Sequence, residues 1–192
     1  MGILEKEDEK KNVLMILHNT RKALKTKDTL LLREMSNRTI HCASIHKDPT
    51  SVVIAVTVYA LSKIIARRDY AEHKDWPSFF SRISKDVNKA IEHLEENKIK
   101  EFHEDMKNIR QAVSELSGRL KYYIKDVFRI AQINKASRLY EHGISRSETS
   151  SLLDITQWEL AEYIGKTGIP DVTLSLTMPI KERIKFTSKL FE

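Results

Sequence analysis

Arg68, Asp69 and His73 stand within one short stretch, RDYAEH. These side chains suit a metal-independent cleavage of RNA. The Arg68 guanidinium would hold a phosphate, the His73 imidazole would move the proton of a 2′-hydroxyl or leaving oxygen, and Asp69 would orient the pair. The same residue types near a helix end also serve as surface caps and complements to the helix dipole, and for so short a pattern that plainer role leads. Other chemistries have less support. The seven histidines are scattered, HExxH and CxxC are absent, and there is no Gly-rich phosphate loop. A zinc hydrolase or a nucleotide-dependent enzyme is therefore a poor fit. Arg38, His41 and His46 lie around Cys42, where boundary packing with a satisfied imidazole is the expected use of His41. No metal and no cofactor is expected.

The elements that would position such residues are helices. Five Gly and four Pro in 192 residues are few for a strand-and-turn protein, while 41% hydrophobic and 31% charged residues fit one helical domain with a small appendage. The lone Cys42 cannot close an intrachain disulfide, and MGILEKEDEKK has no apolar signal core. The longest nearly apolar run, Val52 to Leu61, falls short of the roughly 18 residues that argue for a membrane span. The expectation is a cytoplasmic protein with no membrane partner.

Periodicity divides the chain. Val13, Leu14, Leu17 and Leu24 share a face of a first helix, and Leu32, Met35, Cys42 and Ile45 form the stripe of a second. Asp48-Pro49-Thr50-Ser51 is a helix start, leading a third helix over about Thr50 to Tyr70. Its SVVIAVTVYA run is β-branched enough for a buried strand, but ALSKIIARR carries it past strand length, and a buried helix is expected. Asp75-Trp76-Pro77 opens a fourth helix with Phe80, Ile83, Val87, Ala90, Ile91 and Leu94 on its apolar face, ending near Asn97. The 4-3 alternation of Phe102, Met106, Ile109, Val113, Leu116, Leu120, Tyr123 and Val127 predicts one long straight helix, weakened at Gly118. Its seam would pack within the bundle or pair with a second copy of the chain.

Beyond it, Lys135 to His142 ends a helix and Gly143 is the left-handed stop. Ser145 caps Arg146 to Leu153, and Asp154-Ile155-Thr156 makes a three-residue turn before a helix over Gln157 to Gly165. Small Ser150 would sit where the two helices approach, with Ile155 and Leu160 as buried anchors. Thr156, Gln157, Trp158, Glu159 and Glu162 are left at the surface. Gln157 could read adenine, Glu159 or Glu162 could accept from a cytosine amine, and Arg146 and Lys166 could touch phosphates. Trp158 is expected as a half-buried core aromatic, or else as a protein-contact anchor. From Lys125 to Lys166 six basic residues meet six acidic ones, so the segment is neutral and its phosphate attraction weak.

KASRLYEHGISRSETSSLLDITQWELAEYIGKTGI, from Lys135 to Ile169, resembles the small helix-turn-helix proteins of prokaryotic toxin-antitoxin loci through its A-x-x-L-Y-x-x-G-x-S start and later L-L and W-E-L. Ser150 and Asp154 depart from that pattern, where Ala and Gly are common. The resemblance covers a minority of the chain. It implies an antitoxin-like or regulatory DNA-binding role, often alongside a partner nuclease, in a bacterial or archaeal source. Separately, Arg68 to His73 resembles the R-(N/D/H)-x-x-x-H spacing of HEPN ribonucleases, in those residues only.

After Pro170, VTLSLTM alternates as a strand would, or serves as an extended connector, and Pro179 starts a short helix whose Ile180, Ile184 and Phe191 could dock back. The expected organisation is a helical bundle over 1–127, a helix-turn-helix module over 128–168 and an arm over 169–192. The leading function is a prokaryotic, archaeal-type regulator or antitoxin-like protein that binds DNA and is not an enzyme. It could associate through the long helix or the arm with itself or another protein. The alternatives are a protein-interaction adaptor built on the same module and the HEPN-like ribonuclease.

Overall fold

The computed structural model of the chain describes residues 7–46, 48–112 and 118–167, with their side chains except at 46, 68, 69 and 118–121. Among the described residues the protein is all-α, with eight longer helices, one single-turn helix and no strand. In chain order these are α1 (Glu7–Thr26), α2 (Thr29–His46), α3 (Pro49–Ala66), the single turn α4 (Arg68–Ala71), α5 (Trp76–Glu95), α6 (Ile99–Ala112), α7 (Gly118–Glu141), α8 (Arg146–Leu153) and α9 (Gln157–Thr167). The expected arm lies outside the described residues.

α1 and α2 form a hairpin. Lys27 turns the chain at φ 55°, and the Asp28 carboxylate accepts from the N–H groups of Leu30 and Leu31 at 3.1 and 2.9 Å, satisfying two orphan donors of α2. α3 is the central helix. Asp48 caps it by accepting from Ser51 N–H at 2.7 Å, with Pro49 in the first turn. Val52, Ile54, Ala55, Val58, Leu61 and Ile64 are buried on all its sides, because α2, α6, α7 and α8 pack around it. That enclosure is why a β-branched run becomes helix here, since burial outweighs a propensity cost of a few tenths of a kcal/mol per residue. By length and composition α3 could cross a membrane, yet 61% of it is buried inside the bundle, as a core helix would be.

α5 and α6 form a second hairpin. Asn97 takes φ 59°, and Lys98 N–H reaches back to His93 O at 2.8 Å, which closes the end of α5. His93 Nδ1 lies 2.6 Å from the Asp105 carboxylate and links the two helices. Lys10 of α1 donates to Asn97 Oδ1 at 2.6 Å, fastening the first hairpin to the second.

One packing expectation needs correction. Ile45 is exposed and Cys42 only half-buried; α2 instead buries Ser36, Thr39, Ile40 and Ala43 together with Leu32 and Met35. The hydroxyls are admissible inside because Ser36 donates to Ala55 O and Thr39 to Met35 O, both at 2.7 Å. Small buried residues also let α2 approach α3 closely. Of the expected long helix, α6 covers Ile99–Ala112 and α7 covers Gly118–Glu141, and the join over 113–117 lies outside the described residues. Phe102, Met106 and Ile109 are buried on α6, which lies along α5, while Ile124 and Val127 are buried on α7, which lies along α3 and α2.

α7 also carries the most unusual core residue. Lys135 is 0% exposed, its Nζ 4.3 Å from the centre of the Tyr59 ring and donating to Asn37 Oδ1 at 2.9 Å. Burial pushes its pKa down to about 7, and repulsion from Arg138 and Lys63 adds to the effect.

Candidate nucleic-acid interface

α8 and α9 are set by the chain leaving α7. Gly143, at φ 87°, is the left-handed stop; Ile144 N–H returns to Leu139 O at 3.2 Å and Gly143 N–H to Tyr140 O at 2.9 Å. Ile144 is buried behind this turn. Ser145 then caps α8, its hydroxyl accepting from Glu148 N–H at 3.2 Å. Asp154 ends α8 in the left-handed region, at φ 52° and ψ 49°, and Ile155 N–H bonds Ser150 O at 3.1 Å. Ser150, Ile155 and Leu160 are all buried, as the spacing predicts.

Entry to α9 is a reciprocal capping box that the sequence carries as T-x-x-E. Thr156 N–H and hydroxyl both donate to the Glu159 carboxylate at 2.8 Å, and Glu159 N–H donates to the Thr156 hydroxyl at 3.1 Å. Arg129 of α7 joins the box by donating to the Glu159 carboxylate and, at 3.1 Å, to Asp154 O. The Thr156 backbone bond, the Thr156 hydroxyl and Arg129 hold the Glu159 carboxyl down to about 2. Glu159 is therefore an anion turned inward on its own helix start. Gln132 of α7 donates to Leu153 O at 3.3 Å and Asn134 to the Tyr163 hydroxyl at 3.1 Å, so α7 grips both short helices.

Gln157, Trp158, Glu162 and Lys166 are exposed on α9, and Arg146 is exposed at the first position of α8. Trp158, Glu162 and Lys166 fall four apart and form one row along the helix, in which Lys166 donates to the Glu162 carboxylate. Thr156 is exposed but committed to the box. Trp158 corrects the expectation of a half-buried aromatic: it is 85% exposed, because Leu160 and Ile155 take the inward positions.

The trio at Arg68 is placed differently. Arg68 and Asp69 open α4, with side chains outside the described set, while His73 follows α4 as a half-buried residue. Its Nδ1 accepts from Asp75 N–H at 3.3 Å and its carbonyl accepts from Trp76 N–H at 2.9 Å. His73 thus helps shape the entry to α5. His41 is exposed, its ring 5.4 Å from that of His142.

Comparison with protein-family models, curated proteins and solved structures finds no match to the chain.

Proposed function

We propose that the chain is a cytoplasmic regulator, antitoxin-like in role, that binds duplex DNA by laying the start of α9 in the major groove. α8 and α9 act as a helix-turn-helix, and α7 is their support. The observation that carries this reading is the withdrawal of negative charge from the leading end of α9: Glu159 is bound by Thr156 and Arg129, and Glu162 is paired with Lys166. What remains at that end is Gln157, suited to an adenine edge, and Trp158, suited to a thymine methyl or a sugar. Arg146 stands exposed at the start of α8 for a phosphate contact.

The test is an electrophoretic titration against duplexes selected from a random pool. Gln157→Ala is expected to cost about 1–3 kcal/mol on the selected sequence while leaving non-selected duplex unchanged. Arg146→Ala should weaken both alike. No enrichment of any duplex at low salt would move the pair to the second reading, a protein-docking module, which the exposure of Trp158 also favours.

A further inference from the structure

A cleft of about 590 Å³ opens between α3, α6, α7 and α8, within the ~300–1,000 Å³ span of small-molecule sites. Its floor is apolar: Val52, Val53 and Val56 of α3, Phe128 of α7, and Leu152 and Leu153 of α8. Its rim is basic, with Lys107 and Arg110 from α6 and Lys125 and Arg129 from α7, against the single carboxylate of Asp154. Lys107 is shared with Glu104 at 3.7 Å and Arg129 with Glu159. Arg110 and Lys125 are exposed and have no carboxylate within ion-pair distance among the described residues. A second hollow of about 360 Å³ continues the cleft past Val53, Lys107 and Arg110 toward Pro49 and Met106.

An apolar floor under an unbalanced cationic rim selects for a ligand with both properties. A bare phosphate would gain nothing from the valines, and a neutral hydrocarbon nothing from the rim. We propose that this cleft binds a small amphipathic organic anion, its acyl or aromatic body on Val52, Val53, Val56 and Phe128 and its carboxylate or phosphate at Arg110 and Lys125.

The cleft shares a wall with the α8–α9 turn. Arg129 and Gln132 line it and at the same time donate to Asp154 O and Leu153 O. An anion that draws Arg129 into the cleft competes with Asp154 O and Glu159, loosening the start of α9. Ligand and duplex would then oppose one another; this last step alone rests on the DNA reading.

Isothermal titration of the full chain with decanoate, decyl phosphate, decanol and inorganic phosphate tests the site without DNA. Decanoate or decyl phosphate should bind one to one, with decanol and inorganic phosphate each at least tenfold weaker. Which of the two anions binds better identifies the head group. The double variant Arg110→Ala, Lys125→Ala changes only exposed side chains and should weaken the preferred anion at least tenfold, about 1.4 kcal/mol. Val53→Trp should fill the floor and abolish binding. Circular dichroism reports whether that variant folds, and if it does not, the double variant decides. Absence of binding by both anions, decanol equal to the better anion, or an unchanged affinity in the double variant would each overturn the proposal. A duplex titration with and without the bound anion then addresses the coupling separately.

Discussion

Lys135 places an ammonium inside the bundle, and that position sets a pH dependence on its stability. Lys135 counts as one more surface charge in any tally of the segment from Lys125 to Lys166, yet it lies fully inside, over the Tyr59 ring. Nothing local to Lys135 announces this, because the burial is made by Asn37 on α2 and Tyr59 on α3, distant in sequence. Both partners favour the ammonium, and burial opposes it; burial wins, with the folded-state pKa near 7 against 10.5 for a free lysine. Between those values the unfolded chain binds more protons than the folded one, so this group makes stability rise with pH across that window. Below about pH 7 its full penalty applies. Lys135→Met keeps the volume and removes the charge, and should stabilise the protein at pH 7 by about 1–4 kcal/mol. Urea unfolding at pH 7 and at a more alkaline pH should show a smaller rise for the variant. An equal rise in both proteins would mean that the folded ammonium is as well solvated as the unfolded one.

At the scale of elements, local signals were legible and packing was not. Gly143, Ser145, Asp154 and the inward positions of Ile155 and Leu160 could be read directly, since caps and left-handed stops depend on neighbours a few residues away. The T-x-x-E spacing at Thr156 is in the sequence too, but its residues were read there as surface groups and only the bonds between them show the box. It matters because it turns Glu159 from a possible reader of DNA into part of the helix start. Phe102, Met106 and Ile109 pack on the α5 side while Ile124 and Val127 pack on the α3 and α2 side, a change of partner that the shared 4-3 spacing does not reveal. Trp158 lies outward although an aromatic beside an apolar anchor usually packs, because Ile155 and Leu160 take the inward positions. These caps invite a direct test. A Cβ at Gly143 meets nothing within 4 Å, so Gly143→Ala should cost only the left-handed backbone term, about 1–2 kcal/mol. Ser145→Ala should cost about 1 kcal/mol by losing its bond to Glu148 N–H. Urea denaturation should return both losses, and a Gly143→Ala protein as stable as the wild type would contradict the role given to that turn.

For the whole molecule, α7 is the element that joins the bundle to the α8–α9 pair. It lies against α3 and α2 on one side and holds α8 and α9 on the other, through Arg129, Gln132 and Asn134. An all-α chain with a buried third helix was readable from composition, segment length and the Asp48 start. The candidate surface on α9 was readable only in outline, since its charge balance depends on Arg129, a residue from another helix. The basic cleft was not readable at all, because its rim gathers Lys107 and Arg110 of α6 with Lys125 and Arg129 of α7 over valines of α3 and leucines of α8. The central claim is that the leading end of α9 meets duplex DNA, and Trp158 reports on it. In a Trp76→Phe protein Trp158 is the sole tryptophan, and at 85% exposure its emission responds to any contact. Titration with the selected duplex at about 50 mM salt should quench or shift that emission with micromolar or tighter affinity, weakening at least tenfold by about 200 mM salt. Unchanged Trp158 emission at saturating duplex and low salt would contradict the account.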